Sequence, residues 1–297
     1  MSTVSLKRAK SERIAYIEFR LFYLGSVSRQ DVAERFGCSD AVATRDLSEY
    51  QSTRPDNCEY DAKRRRYYKS EGKFKFIFDL SVHTVLRELV EGGQSLLENE
   101  RVGTISGNMP LQLTNPNNEV VANVSRAIYE QKLLEITYIS LNSGKKSRKI
   151  IPHSIFTDGL KWYVRAYDRV REMFINFNLT RIYSSIIKDD EIEKVEGEDF
   201  DEQWNSKVPL VLVPHPNIQH KDAIKIDYGM KDGELILYVK TSMVEFFLRK
   251  WNIDCSPEDR LLEGSEYQLW LKNNQALVGI CEFNIAPGYI NHKSKPK

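Results

Sequence analysis

The sequence predicts an α+β protein of several domains: a helical head with a hairpin, a small central β-barrel, and a small α+β unit at the C terminus. A chain of 297 residues is too long for one small apolar core and suits two or three domains. Apolar residues recur at helical spacing near the N terminus. In the centre they form short strand-like runs separated by Gly and Asp.

The N-terminal segment predicts three successive helices separated by tight turns. Residues 7–24 form the first, with apolar residues at helical spacing, and Gly25 ends it. Ser28 begins the second helix with Asp31 three residues later, an acidic variant of the capping box. Gly37 ends this helix, so the spacing is that of a helix-turn-helix.

The third predicted helix begins after Ser39 as its N-cap and runs to about Tyr50. Its apolar face is expected to pack on the first two helices and comprises Ala43, Leu47 and Tyr50. The opposite face is small, polar and basic, as a helix that enters the DNA major groove requires. The residues predicted to contact DNA from this helix are Ser39, Ala41, Thr44, Arg45 and Ser48.

Residues 58–68 predict a β-hairpin with its turn near 61–64, and a hairpin directly after a helix-turn-helix is a wing. The turn carries a run of cations, Lys63, Arg64, Arg65 and Arg66, which we expect to face phosphates or to place one arginine in the minor groove. A solvated turn is the alternative. Residues 1–75 carry 16 Lys and Arg against 11 Asp and Glu, whereas the whole chain has a net charge of +1. This local excess of positive charge favours the DNA-binding interpretation.

After the hairpin, the sequence pattern predicts a helical stretch, a linker, and then a helix followed by five strands. Residues 80–100 form an amphipathic helical stretch interrupted by Gly92-Gly93, and a polar linker follows over 101–118. A helix at 118–131 then precedes five strands, at 133–140, 148–156, 160–168, 172–179 and 182–188. One helix followed by five short strands suits a small Sm-like or SH3-like barrel.

An acidic stretch and three prolines separate the last domain. Within it we expect strands at 223–228, 234–241 and 267–271 and a helix at 242–251. The predicted domains are a DNA-binding head (1–75), a helical connector (76–117), a small barrel (118–190), a linker (191–219) and a small C-terminal α+β unit (220–297).

The central segment resembles the WYL domain of bacterial transcriptional regulators. The name-giving triplet is present as Trp162-Tyr163-Val164, with Val in place of Leu, and further matching segments surround it, namely 136–138, 151–153 and 177–182. Together with the helix-turn-helix before it, the layout is similar to homodimeric regulators linked to anti-phage defence islands of the BREX and CBASS type. The resemblance implies a regulator whose DNA affinity responds to a nucleotide or nucleic-acid fragment, with the barrel (118–190) as the ligand-sensing domain and the C-terminal unit (220–297) as the dimerisation domain.

Alternation along the strand at 160–168 places Trp162 in the barrel core and Tyr163 and Arg165 on the opposite face. A cation beside an aromatic ring suits a nucleotide, because Arg pairs with phosphate and the ring stacks on a base. If the resemblance holds, the ligand surface comprises Tyr138, Ser140, His153, Tyr163, Arg165 and Arg181. The alternative for Tyr163 and Arg165 is a cation–π pair on the surface without a ligand. The alternative for His153 is a structural histidine with its hydrogen bonds satisfied.

The sequence carries no catalytic motif and no Cys/His spacing for zinc, so we expect neither an enzyme nor a metal site or cofactor. The four cysteines are scattered. No apolar run approaches the roughly 20 residues of a membrane span, and the N terminus lacks a signal peptide, which together predict a cytoplasmic protein without a membrane partner.

The helix-turn-helix, the basic hairpin and the resemblance together predict a sequence-specific transcriptional regulator, and the resemblance favours a repressor of a phage-defence operon. As a homodimer it would bind an inverted repeat in double-stranded DNA and answer to a nucleotide or oligonucleotide effector. The alternatives are an activator of the same architecture, an accessory subunit of a nuclease or helicase defence system, and a nuclease.

Overall fold

The computed structural model describes residues 3–93, 96–97, 113–280 and 285–289, with the backbone alone for residues 3–7. The chain forms two compact units. The first comprises residues 1–156 and 160–192, and the second comprises residues 157–159 and 193–297. No helix among the described residues is both long and apolar enough to cross a membrane.

The first unit begins with three helices and a short strand. In chain order these are α1 (Thr3–Leu24), β1 (Ser26–Ser28), α2 (Arg29–Phe36) and α3 (Asp40–Thr53). The predicted capping box is confirmed: the Asp31 amide donates to Ser28 Oγ (3.2 Å) and the Ser28 amide donates to the Asp31 carboxylate (2.7 Å). Gly37 leaves the helix with φ of 58°, the left-handed region that glycine adopts without steric penalty. Ser39 caps α3 as predicted, accepting from the Val42 amide.

The predicted wing is present as β2 (Cys58–Asp61) and β3 (Arg66–Lys69), joined by a turn at residues 62–65. The sheet order is β1-β3-β2, so the short strand β1, which the sequence did not predict, ties the hairpin to the helices. Asp61 fixes the turn because its Oδ1 accepts from the amides of Lys63 (2.8 Å) and Arg64 (3.0 Å).

Helix α4 (Val82–Glu91) ends before Gly92, where the predicted helical stretch has its interruption. Residues 94–95 and 98–112 lie outside the described residues, and with them most of the predicted linker at 101–118. Residues 113–117, which are described, have no helix or strand.

The predicted helix and five strands of the central region are confirmed. They are α5 (Asn118–Tyr129), β4 (Leu133–Ser140), β5 (Gly144–Thr157), β6 (Trp162–Asp168), β7 (Met173–Asn178) and β8 (Ile182–Lys188). The strand order is β7-β6-β5-β4-β8, which places β7 and β8 at the two ends of the five-stranded sheet. Closure into an Sm-like or SH3-like barrel stays a prediction.

One apolar core joins the N-terminal head to this sheet. Ile17 and Leu21 of α1, Val121 and Val124 of α5, and Ile136 of β4 are all fully or almost fully buried in it. Polar contacts cross the same seam between α1 and α5. The hydroxyl of Ser125 donates to the Tyr23 carbonyl (2.5 Å) and the Arg126 guanidinium donates to the Phe22 carbonyl (3.0 Å).

The second unit is a three-stranded sheet with short helices. Its elements are α6 (Glu202–Asn205), β9 (Lys207–Pro214), α7 (Lys221–Asp227), β10 (Leu235–Lys240), α8 (Val244–Lys250) and β11 (Leu269–Leu271). The strand order is β10-β9-β11, with both pairs antiparallel. One face of this sheet forms the core together with α7 and α8, through residues such as Leu210, Leu212 and Leu248.

Two predictions for this unit are wrong. The strand predicted at 223–228 is instead part of helix α7 (Lys221–Asp227). The alternation of Ile224 and Ile226 resembles a strand, although only Ile224 is buried. Residues 207–214, predicted as part of a linker, form the central strand β9. Pro209 fits there because β11 pairs with β9 only from Leu212 to Pro214. Next to the proline, the Asn273 side chain accepts from the Val211 amide (2.8 Å) and donates to the Pro209 carbonyl (2.9 Å).

Candidate nucleic-acid interface

The outward face of α3 is open to solvent. All five residues predicted to contact DNA from this helix are exposed: Ser39, Ala41, Thr44, Arg45 and Ser48. The opposite face is buried, with Ala43, Leu47 and Tyr50 at 0–2% exposure. The helix therefore presents a small, polar and basic surface while its apolar side holds it in the head.

Buried carboxylates fix the orientation of α3, and the sequence reasoning did not find them. Asp46 forms an ion pair with Arg13 of α1 (2.5 Å). Glu18 of α1 accepts from the Tyr50 hydroxyl (3.3 Å) and from the backbone amides of Ile77 (2.7 Å) and Phe78. Burial raises the pKa of Glu18, although these hydrogen bonds oppose the shift. Helical periodicity could have predicted that Asp46 is buried, since its spacing places it beside Ala43 and Tyr50 on the inner face of α3.

The tip of the hairpin carries exposed cations. Lys63, Arg64 and Arg65 are exposed, and Arg65 has a positive φ of 54° at the end of the turn. The Arg64 guanidinium lies 5.8 Å from the ring centre of Tyr68. This contact orients the Arg64 side chain along the hairpin without enclosing it.

Arg66 differs from its neighbours in the same run of cations. Its Nη1 lies 3.2 Å from Asp31 of α2 and donates to Ser26 Oγ at 3.2 Å. Asp31 also receives Arg20 of α1 at 3.3 Å. The Arg66 side chain is only 26% exposed, so its charge connects the hairpin to α1 and α2.

A groove of about 720 Å³ lies between the hairpin and the helices of the head. Its lining includes exposed positions that the sequence reasoning missed, Arg29 and Gln30 at the start of α2 and Tyr60 of the hairpin. The other lining residues are Ser28, Thr44, Leu47, Arg64, Arg65, Arg66 and Tyr67. A basic concavity at a helix N terminus suits a phosphate group, and the N-terminal position of Arg29 was the signal in the sequence.

On the central sheet, Tyr163 and Arg165 lie at 9% and 2% exposure. The expectation that they face an open surface is wrong, because β6 is buried on both faces. The Tyr163 ring stacks on Phe156 at 5.2 Å, and Arg165 donates to Asn176 Oδ1 at 3.2 Å. Trp162 lies in the core as predicted.

The other four candidate ligand residues are half-buried and fall into separate places. The Tyr138 hydroxyl accepts from the amide of Asn178, the residue that pairs with Tyr163 across β6 and β7, so the two tyrosines are near neighbours. His153 lies edge-on to Phe174 at 5.7 Å. The Ser140 hydroxyl caps the turn after β4, and Arg181 lies in a short helical turn before β8.

An exposed aromatic–cation pair on the same sheet was not predicted as a ligand surface. Tyr183 of β8 is 67% exposed, and Lys145 Nζ lies 4.0 Å from its ring centre. Among the described residues, no group of three or more His, Cys, Asp or Glu side chains is placed to hold a metal ion.

Three family models match successive parts of the chain. Residues 9–89 match the winged helix-turn-helix domain of the BrxR transcriptional regulator, and residues 119–186 match the WYL domain. Residues 207–277 match the model described as the C-terminal dimerization domain of the BrxR transcriptional regulator.

Curated relatives are similar over almost the full length. A protein of Stenotrophomonas maltophilia named DNA-binding transcriptional repressor CapW is 30% identical over 255 residues, which is 82% of this chain and 84% of the relative. The Escherichia coli (strain KTE188) protein of the same name is 28% identical over 281 residues, 91% of each chain. The solved structure of PafBC, the proteasome accessory factor B/C of Arthrobacter aurescens, is 18% identical with a TM-score of 0.27; the match covers 85% of this chain and 46% of that one. A TM-score of this size does not establish a shared arrangement.

Proposed function

The chain belongs to the family of DNA-binding transcriptional repressors with a winged helix-turn-helix, a WYL domain and a C-terminal dimerization domain, and from that premise we propose how it recognises DNA and what controls it. It represses a phage-defence operon by binding an inverted repeat as a homodimer in the cytoplasm. The observation that carries the proposal is the exposed polar face of α3 beside the cationic hairpin tip, with the opposite face of α3 buried.

In the proposed complex, α3 enters the major groove and the hairpin tip lies on the flanking backbone. Arg45 and Thr44 contact base edges, while Ser39, Ala41 and Ser48 line the same helix face. Lys63, Arg64 and Arg65 contact phosphates, or one of them enters the minor groove. Arg66 holds the hairpin in position through Asp31, so it supports the contact instead of making it.

The inverted repeat follows from the dimer. Two copies related by a twofold axis present two identical α3 helices in opposite orientations, so the two half-sites are inverted relative to each other. The separation of the helices then sets the spacing of the half-sites.

A nucleotide or short nucleic acid controls the repressor through the central sheet. The candidate residues are Tyr138, Ser140, His153, Tyr163, Arg165 and Arg181, and the burial of Tyr163 and Arg165 means that the ligand enters a site that opens for it. The contacts of α5 with α1 support a route from this sheet to the head, since Ser125 and Arg126 bond directly to the end of α1. Control requires that the ligand bind the DNA-free form more tightly than the DNA-bound form.

A gel shift on the DNA upstream of the gene, repeated over a salt series, tests the proposal. We expect Arg45→Ala to weaken binding to the specific site by about 1–3 kcal/mol and to leave binding to random duplex unchanged. The matched control is Arg171→Ala, which removes an exposed arginine from the turn between β6 and β7. An equal loss of binding free energy on specific and random DNA would show that Arg45 contacts a phosphate and not a base. If the wild-type protein forms no complex with DNA even at low salt, the proposed function is wrong.

The effector proposal has its own test in the same assay. Mononucleotides and short oligonucleotides are added to the preformed complex, and release of the DNA at a defined concentration is the expected result. A complex that stays intact with all of them contradicts nucleotide control while leaving DNA binding in place.

A further inference from the structure

The start of β5 carries a run of cations that the proposed function does not use. Arg148 turns inward and forms an ion pair with the buried Asp168. Lys149 is exposed, but it pairs with Asp190 at 2.8 Å. Lys145 is also exposed and pairs with no carboxylate among the described residues. Its charge is therefore available to an anion from outside the chain.

The ring of Tyr183 lies against this cation. Lys145 Nζ is 4.0 Å from the ring centre, and Tyr183 is 67% exposed. Strand β8 has a bulge at this point, because Ile182 and Ser184 pair with successive residues of β4 and Tyr183 is the extra residue between them. A bulge interrupts the pairing and changes the direction of the side chain it inserts. The irregular backbone thus presents an aromatic ring to solvent beside an unpaired lysine.

The surroundings of the ring are apolar, and the carboxylate on this face is neutralised. Ile139, which pairs with Lys145 across β4 and β5, is 43% exposed, and Ile186 of β8 is 57% exposed. Glu135 of β4 pairs with Lys188 at 3.6 Å, at the opposite end of β8 from the ring. We call this exposed side of β4, β5 and β8 the outer face of the central sheet. A ring, exposed apolar side chains and an unpaired cation together suit a base and its phosphate.

We propose that the outer face of the central sheet binds single-stranded nucleic acid, with one base stacked on Tyr183 and a neighbouring phosphate on Lys145. Unpaired bases can turn out of their own stack and lie on an aromatic ring, whereas a duplex keeps its base faces covered. The surface is separate from the head and from the six candidate ligand residues. Tyr138, which pairs with Ile182 beside the bulge, packs against the core instead.

Fluorescence anisotropy of the full-length protein with a labelled thymidine oligonucleotide of about ten nucleotides tests the stacking contact. We expect Tyr183→Ala to raise the dissociation constant at least about fivefold, because the base loses its stacking partner. Tyr183→Phe keeps the ring and should bind as wild type. The matched control is Val170→Ala, since Val170 is equally exposed, at 67%, but lies in the turn between β6 and β7.

A salt series of the same measurement tests the phosphate contact. Lys145→Ala should reduce the slope of log affinity against log salt by about 0.7, the value for one phosphate of a single strand. Lys146→Ala is the control, because Lys146 is exposed as well but alternation places it on the opposite face of β5. Equal changes in the two variants would contradict the outer face as the site.

The basic head also attracts single strands, so its contribution is removed by the triple variant Lys63→Ala/Arg64→Ala/Arg65→Ala. This variant should lose affinity for duplex and retain the effects of Tyr183→Ala and Lys145→Ala on the oligonucleotide. Circular dichroism verifies that each variant is folded. If Tyr183→Ala does not fold, Tyr183→Leu replaces it, since leucine keeps an apolar side chain without a ring.

Three results overturn the inference: no oligonucleotide binding by wild type at low salt, unchanged affinity in folded Tyr183 variants without a ring, or loss of oligonucleotide binding in the triple variant of the head. Binding to the upstream duplex is measured separately. If the duplex is not bound but the effects of Tyr183 and Lys145 hold, the proposed function is wrong and this surface stands.

Discussion

At the scale of single residues, four consecutive cations of the hairpin have different roles. Lys63, Arg64 and Arg65 are exposed at the tip, whereas Arg66 forms an ion pair with Asp31. The sequence showed only a run of like charges. Which of them points inward depends on the pairing of β3 with β1, and β1 is too short to be recognised from its own three residues.

This difference can be measured. Arg65→Ala should reduce the salt dependence of DNA binding by about one phosphate contact and change the unfolding free energy by less than about 0.5 kcal/mol. Arg66→Ala should instead lower the unfolding free energy by about 1–3 kcal/mol, because it leaves the half-buried Asp31 without one of its partners. Denaturant unfolding and a salt series of binding measurements separate the two effects; the same pattern for both variants would contradict the division of roles.

Asp254 is a second residue with a defined energetic role. Its carboxylate is fully buried and accepts from His215 Nε2 (3.1 Å), the Ser256 hydroxyl, and the amides of Ser256 and Leu262. Burial alone would raise the pKa of this carboxyl, but the hydrogen bonds outweigh it and the pKa lies below its ordinary value.

The sign of the pH effect follows from that direction. A carboxyl whose pKa is lower in the folded protein stabilises the fold above its unfolded pKa, near 3.9, and this contribution is lost as the pH falls through the folded pKa. Asp254→Asn should therefore lower the unfolding free energy by roughly 3–5 kcal/mol at neutral pH and by less in strong acid. Thermal unfolding against pH tests this, with the exposed Asp259→Asn as control. A loss that is independent of pH would show that the charge is not the cause.

At the scale of elements, local signals were enough for the helices of the head. Ser28, Gly37 and Ser39 act on residues within one turn of themselves, so their pattern predicted where α2 and α3 begin and end. The strands of the central sheet were equally regular. Strand β9 was missed because its Pro209 is accommodated with the help of Asn273, more than sixty residues later, which no local pattern reveals.

In the candidate site too, features with a local sequence signal could be predicted, whereas features that depend on distant residues could not. The exposed face of α3 could be predicted from helical periodicity, because one buried face fixes the other. Tyr163 and Arg165 were misplaced because alternation tells which residues share a face but not whether that face is covered. Glu18 and Asp46 were missed because buried carboxylates depend on partners from distant segments.

The seam between α1 and α5 gives a prediction at this scale. Ser125→Ala removes the donor to the Tyr23 carbonyl and leaves that buried carbonyl without this bond, so the unfolding free energy should decrease by about 1–3 kcal/mol. The control is Ser184→Ala, since Ser184 is exposed on β8. Hydrogen exchange should show weaker protection of amides in both α1 and α5. Weaker protection in α5 alone would mean that the two helices open independently.

At the scale of the whole molecule, charge is distributed by role. The N-terminal 75 residues hold the excess of cations, while the rest of the chain is net acidic. DNA attracts the basic head and repels the acidic remainder of the chain. Electrostatic steering therefore favours encounters in which the head faces the duplex.

The core shared by the head and the central sheet also limits how this protein can be dissected. A fragment that stops before Asn118 would lose Val121 and Val124 and expose the side of α1 that they cover. Such a fragment would aggregate or lose its shape even though every residue proposed to touch the duplex is still present. Exchange of the N-terminal head between regulators during evolution therefore requires that helix α5, which covers α1, be transferred with it.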